Sequence, residues 1–289
     1  MQRLRHVARQ LEVSPPTTTA TAAASDAELF QVPSFASSWD DLLEGVNTPE
    51  QWSDRREELR EKYLRLLRDE HAPSERPALD LQVEEEVVVD GIYKRQLISY
   101  NVEADERAHA YLGLPLGPFL ARRDGRSALR SVPAVVALHG TYEQGLKQAA
   151  ALVDAEGRGK GDKGYLDHLC RRGYICIAPE HFVSNFREPP AGPYETADFH
   201  KKHPEWTSVG KFTWEHSIAV DVLLTVDAVD PAALGVMGHS LGGHGSFFLA
   251  AYDQRLRCCV SNCSASFFRH NEGVTEVLPQ THSCSRFPL

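Results

Sequence analysis

The sequence predicts an α/β domain: a mostly parallel sheet with helices on both faces. Three observations predict it. Residues 132–140 (VPAVVALHG) and 173–180 (GYICIAPE) are continuous apolar runs of the kind buried on both faces of a parallel sheet. Helical material separates them. A third apolar strand, residues 234–237, runs into a glycine-rich turn and then directly into a helix.

Residues 14–26 (SPPTTTATAAASD) carry almost no bulky apolar side chain, so burial cannot offset the entropy of ordering them, and residues 1–28 read as a disordered tail. Residues 29–78 read as an N-terminal helical extension. In PEQWSDRREELREKYLRLLRDE the positions Trp52, Leu59, Tyr63, Leu66 and Leu67 recur at helical spacing among Glu and Arg, which predicts an amphipathic helix that needs a surface to pack on. The main domain is expected over 79–289. It opens with LQVEEEVVVDGIYKRQLISYNVE, two antiparallel strands around the Asp90-Gly91 turn, with Glu84, Glu85 and Glu86 marking a solvent face or an edge. Between the two apolar runs, GLKQAAALVDAE and YLDHLCRRG supply helices, which makes a βαβ unit with a right-handed crossover. Residues 184–211 are rich in Pro and aromatic side chains, a long excursion of the sort that builds a substrate wall. From Phe212 to Val226 the residues Trp214, Ile218, Val222 and Val226 fall four apart, on one helix face. RCCVSNCSASFF is the last recognisable strand.

A formal net charge of −9 over 289 residues leaves no basic footprint for nucleic acid or an anionic membrane. Small-molecule chemistry is the expectation, and no stretch is long and apolar enough to span a bilayer. The N-terminus is basic but lacks an apolar signal core, so the default location is cytoplasmic. The six cysteines (Cys170, Cys176, Cys258, Cys259, Cys263, Cys284) show no C-x-x-C spacing, and Cys176, Cys258 and Cys259 sit in apolar runs where a free thiol acts as a small hydrophobe. A reducing compartment fits.

A serine hydroxyl is a poor nucleophile unless a base takes its proton and the backbone holds its oxygen out toward a carbonyl. Gly238-His239-Ser240-Leu241-Gly242 meets the second requirement. The strand before it and the helix from Gly243 to Tyr252 place Ser240 on a tight strand-to-helix turn, a nucleophile elbow. On its own the five-residue pattern is also that of a glycine-rich surface turn; the flanking strand and helix, and the upstream strand ending in His139-Gly140, favour the elbow. An oxyanion hole needs two N–H donors, one after the nucleophile and one after the third strand of such a sheet, and Leu241 and Thr141 stand at those stations. No cofactor and no metal is called for; the expected partner is a small-molecule ester.

Five segments, WSDRREELREKYLRLL, VPAVVALHGTYEQG, YLDHLCRRGYICIAPEHF, FHKKHPEWTSVGKFTWEHSIAVDVL and MGHSLGGHGSFFLAAYD, resemble the dienelactone hydrolase and acetyl xylan esterase branch of the α/β-hydrolase superfamily. The resemblance covers about residues 40–270. It implies an α/β-hydrolase fold, Ser240 as nucleophile, Leu241 and Thr141 as oxyanion donors, and hydrolysis of carboxylic esters; such likeness does not choose the ester.

That family orders its triad Ser, then Asp or Glu, then His, on loops after later strands. Only 49 residues follow Ser240, so the sequence predicts a domain lacking its last strands. The remaining acids are Asp253, Glu272 and Glu276, and the remaining histidines His244, His270 and His282. His282 has the chain order of a base after Glu272 or Glu276, although a tail without secondary structure cannot hold catalytic geometry. His244, one helical turn past Ser240, reads as a packed or hydrogen-bonded histidine facing the interior. Three accounts stay open: a shortened product, a pseudoenzyme or binding protein without turnover, and a chain completed by a partner. A serine peptidase of the prolyl-peptidase type is a further alternative. With later neighbours absent, the strand at 258–267 becomes an apolar edge open to self-association.

Residues 159–164 (GKGDKG) match G-x-G-x-x-G but follow a helical segment instead of a strand, so a flexible basic loop is the reading. His200 and His203 lack a third metal ligand and read as solvated loop residues. Asn262-Cys263-Ser264 fits a glycosylation acceptor but is expected to lie in a buried strand.

Overall fold

The computed structural model describes residues 43–117, 132–153 and 163–264. The chain divides into two compact units, one ending at Arg55 and one beginning at Arg56. Helix α1 (Pro49–Leu67) starts in the first. Thr48 precedes a proline at the first helical position, and its hydroxyl accepts the Gln51 N–H while the Gln51 carboxamide oxygen takes the Thr48 N–H at 3.1 Å, a capping box.

The second unit holds a seven-stranded sheet in the order β1-β2-β3-β5-β4-β6-β7. Its strands are β1 (Gln82–Val89), β2 (Tyr93–Glu103), β3 (Glu106–Pro115), β4 (Val132–Leu138), β5 (Ile175–Pro179), β6 (Val229–His239) and β7 (Leu256–Asn262). β1, β2, β3 and β5 pair antiparallel in turn, while β5, β4, β6 and β7 pair parallel. Since β2 opposes β3 and β3 opposes β5, five of these seven strands share one direction, and the sheet is mostly parallel as expected. The Asp90-Gly91 turn joins β1 to β2, with both residues at positive φ. β3, ERAHAYLGLP, is an addition to the sequence reading. Its alternation is broken by Gly113 and Pro115, and its place beside β5 depends on pairing across more than sixty residues.

Strand alternation divides the core in two. Val136, Leu138, Ile175 and Ile177 point to one face, where they meet Ile218, Val222 and Leu223 of α5 (Ser208–Leu224) and Leu249 of α6 (Leu241–Tyr252). Ala137, Cys176 and Ala178 point to the other, against Leu146 of α2 (Gly145–Ala149) and Leu166 and Cys170 of α3 (Tyr165–Cys170). Helices therefore cover both faces, the expected layering. α5 begins four residues before the predicted Phe212 because the Thr207 hydroxyl accepts the Gly210 N–H at 2.9 Å and caps it. The same hydroxyl donates to the Leu67 carbonyl at the end of α1. Tyr63 of α1 donates its hydroxyl to the Phe248 carbonyl, and Arg60 reaches the Tyr252 carbonyl at 2.9 Å, so the second half of α1 holds the C-terminal end of α6. The 184–211 excursion contains a 3-10 turn at Asn185–Arg187 and helix α4 (Ala197–Lys202).

The strand expected at 258–267 is β7, and residues beyond Ser264 lie outside the described residues. β7 departs from the expected burial. Cys258, Cys259 and Val260 are exposed, as are Asn262 and Cys263, because among the described residues β7 pairs on one side only, with β6. Cys258 and Cys259 are thus not interior hydrophobes, and the Asn262 acceptor is not buried. Among the described residues no helix is long and apolar enough to cross a membrane.

Candidate active site

Ser240 joins β6 to α6 with φ 54° and ψ −118°, a conformation that L side chains rarely adopt. The two glycines of the motif explain how the turn closes. A methyl group at residue 242 would lie 2.2 Å from the Leu138 carbonyl oxygen and 2.6 Å from that of His139, and one at residue 238 would lie 2.1 Å from the Gly242 oxygen. Only hydrogen fits at either place. Leu138 and Gly238 are also register partners between β4 and β6, so the corner that follows β4 lies against the elbow. The Ser240 N–H is taken by the Asn262 carbonyl at 2.9 Å, and the Ser240 carbonyl accepts the His244 N–H at 3.0 Å, which starts α6. The serine side is thereby clamped between β7 and its own helix.

Ser240 is half-buried and Thr141 exposed. Among the described residues neither the Leu241 nor the Thr141 N–H has a hydrogen-bond partner, and the Ser240 hydroxyl has none either. One of these amides stands at the N-terminus of a twelve-residue helix, where the helix dipole favours negative charge. His239 is partly buried, and that burial, with the nearby Lys163 ammonium, lowers its pKa below the usual imidazole value. Lys163 bonds the Tyr142 hydroxyl and sits 4.1 Å from the centre of that ring. His244 departs from the interior placement expected of it, although its hydrogen bond with the Ser264 backbone agrees with the hydrogen-bonded reading. It is exposed, on the stripe of α6 shared with Phe247 and Ala251, while Gly242, Gly243, Gly245, Ser246 and Leu249 turn inward. His282, with Glu272, Glu276 and His270, lies outside the described residues.

Sequence reasoning missed the polar core behind the 139–142 corner. His139, His181 and His216 are all buried, with His139 and His181 ring centres 3.8 Å apart. Burial, before any other cause, lowers all three pKa values, His139 to about 4 and His216 to about 3. Beside them runs a buried ionic network. Arg187 grips Glu215 with two bonds of 2.8 and 2.7 Å and donates to Glu180 and Glu106 at 3.0 Å. Lys211 meets the same Glu215 at 2.8 Å and also pairs with Glu103 and Glu106. Burial alone would raise the Glu215 pKa, but Arg187 and Lys211 outweigh it and hold the carboxyl at about 2. No local pattern marks these residues, since partners such as Arg187 and Glu106 lie 81 positions apart. Among the described residues no group of three or more His, Cys, Asp or Glu is arranged to hold a metal ion; His200 and His203 lie on and beside α4.

No protein-family model matches the chain. A Bacillus subtilis (strain 168) protein named "Putative hydrolase YtaP" is 28% identical over 221 residues, which are 72% of this chain and 64% of that protein. Among solved structures, a "putative acetyl xylan esterase" from Bacteroides fragilis superposes with a TM-score of 0.59 at 13% identity, over 77% of this chain and 59% of its own. A glucuronoyl esterase from Solibacter usitatus does so with a TM-score of 0.54 at 17% identity, over 81% and 66% respectively. The chain has the α/β-hydrolase fold. In this fold β6, the elbow and α6 form one strand–turn–helix unit, and the corner after the adjacent β4 faces it. The chain spans less than two thirds of the length of each of these three proteins.

Proposed function

We propose that the chain is a serine hydrolase of carboxylic esters, with Ser240 as nucleophile and the Leu241 and Thr141 amides as its oxyanion hole. The observation that carries this reading is the strained Ser240 backbone at a strand-to-helix turn, with the Leu241 and Thr141 N–H groups unpartnered among the described residues. Strain of this kind costs about 1–3 kcal/mol and persists only where the surroundings enforce it. Here the surroundings are two glycine contacts and the Asn262 carbonyl.

Ser240 Oγ forms a bond to the acyl carbon as its proton passes to a base, and the carbonyl oxygen takes up negative charge between the two amides. Collapse expels the alcohol, which receives that proton; water then attacks the acyl-enzyme and releases the acid. The described residues do not supply the base. His282 is the candidate by chain order. The names of the structural neighbours support acetylated xylan and glucuronoyl esters as the first substrates to assay.

A fluorophosphonate probe is expected to label the purified protein, and Ser240→Ala to abolish both labelling and hydrolysis of p-nitrophenyl acetate. Labelling that survives Ser240→Ala overturns the nucleophile. Cleavage of aminoacyl-proline substrates without cleavage of the ester would transfer the chain to the peptidases. The second reading, a binding protein with this fold and no turnover, is favoured by the Ser240 hydroxyl having no imidazole partner among the described residues. A cooperatively unfolding protein that neither takes the probe nor cleaves any ester would establish it.

A further inference from the structure

The 139–142 corner is held from behind by an unbroken set of hydrogen bonds. Asn185 approaches His139 Nε2 at 3.4 Å with its amide nitrogen, so that ring nitrogen accepts and Nδ1 carries the proton it donates to the Gly140 carbonyl at 2.8 Å. His181 Nε2 lies 2.8 Å from the His139 carbonyl, which can only accept, so His181 carries its proton there and its Nδ1 accepts from His216 Nε2 at 3.3 Å. His216 Nδ1, buried and without a partner, is left as the lone-pair end of the chain. The Tyr194 hydroxyl lies 3.2 Å from the Gly140 carbonyl and 3.1 Å from that of Tyr142, and it shares the Tyr142 N–H, 3.1 Å away, with the Gly140 carbonyl, which accepts it at 2.9 Å. Burial pushes the Tyr194 phenol up to about 12, so it keeps the proton it donates.

These anchors have a geometric consequence. In a planar trans peptide the C=O of one residue and the N–H of the next point in opposite directions. Fixing the Gly140 carbonyl toward His139 Nδ1 and Tyr194 therefore aims the Thr141 N–H the opposite way, out of the polar core. Fixing the His139 carbonyl on His181 holds the preceding peptide, whose oxygen also abuts Gly242 of the elbow. We infer that Tyr194 and His181 are positioning residues: they touch no reacting atom and aim the Thr141 amide at the developing oxyanion. The inference rests on the esterase reading above. It adds to that reading two residues that come from the 180–194 segment, far from the elbow in sequence.

The test compares Tyr194→Phe, His181→Leu and His181→Gln with wild type on p-nitrophenyl acetate, with thermal unfolding recorded for each. Losing an oxyanion donor outright costs about 100-fold or more in kcat, and misaiming one is expected to cost on the order of 10-fold. Tyr194→Phe and His181→Leu should therefore lower kcat by roughly 10-fold with KM within about twofold, and His181→Gln, which keeps an N–H donor, should recover most of the loss. Unchanged kcat in folded Tyr194→Phe overturns the inference, as does a rise in KM alone, which would make Tyr194 a substrate contact. Should His181→Leu fail to fold, Tyr194→Phe and His181→Gln decide the matter. The parent reading fails separately, through the Ser240→Ala control or an inert wild type, and an inert wild type overturns both.

Discussion

At Ser240 a side chain occupies backbone space that belongs by preference to glycine. The positive φ is enforced from outside, by the Asn262 carbonyl on its N–H and by Gly238 and Gly242 closing to contact distance. Relief of that strain should be visible without any change of fold. Ser240→Gly is expected to unfold at higher denaturant than Ser240→Ala, by about 1 kcal/mol, because both lose the hydroxyl and only glycine loses the Cβ. Urea unfolding of the two variants checks it; equal midpoints would mean that the elbow is unstrained. The G-x-S-x-G pattern was readable in the sequence because its chemistry is local, five consecutive residues between a strand and a helix. The position of Thr141 was readable for the same reason, since it stands directly after a recognisable apolar run; its role as an oxyanion donor stays a proposal.

Among the elements, α6 and β7 behave in opposite ways. α6 is anchored along its length: its N-terminus by the elbow, its inner stripe by β4, β6 and α5, its last carbonyls by Arg60 and Tyr63. β7 offers Cys258, Cys259 and Val260 to solvent, with Val260 half exposed at 50%. We propose that this edge supports self-association, since among the described residues only β6 pairs with β7, and a strand edge without a neighbour presents backbone groups to a second chain. Val260→Lys is expected to lower the sedimentation-average mass at high protein concentration while leaving ester turnover unchanged. An unaltered mass distribution would remove β7 from any such contact. Strand identity here followed from the run RCCVSNCSASFF, but exposure did not, because an apolar run reads as buried until its neighbours are known. The same limit let His244 be assigned to the interior: its distance from Ser240 gives one helical turn, whereas the packed face of α6 is set by β4 and α5.

Across the whole molecule, polar groups deep in the core tie stability to pH. The unfolded chain protonates its histidines near the ordinary value of 6.5, but folded His139 resists until about pH 4 and folded His216 until about pH 3. The unfolded state therefore binds more protons through that window, and stability falls as pH drops below 6.5, by up to about 1.4 kcal/mol per histidine per pH unit. Glu215 acts in the same sense lower down. Its carboxylate, held at about 2 against 4.5 when unfolded, contributes stability that is lost as pH falls from 4.5 toward 2. Denaturant midpoints should decrease from pH 7 to pH 5 with unchanged slope, and a flat profile would show that these histidines are already charged or solvated in the folded protein.

The periodicity of apolar residues was enough to establish the layered α/β class, the βαβ unit around 132–180 and the elbow, since each depends on contacts within one segment and its immediate flanks. Strand β3, the histidine chain behind Thr141 and the Arg187–Glu215–Lys211 network depended on the tertiary structure. Their partners are brought together from distant segments, and a His or Glu that ends up buried looks, in a linear chain, the same as one in water. What separates them is the set of donors and acceptors that folding places around each group, and only packing assigns that set.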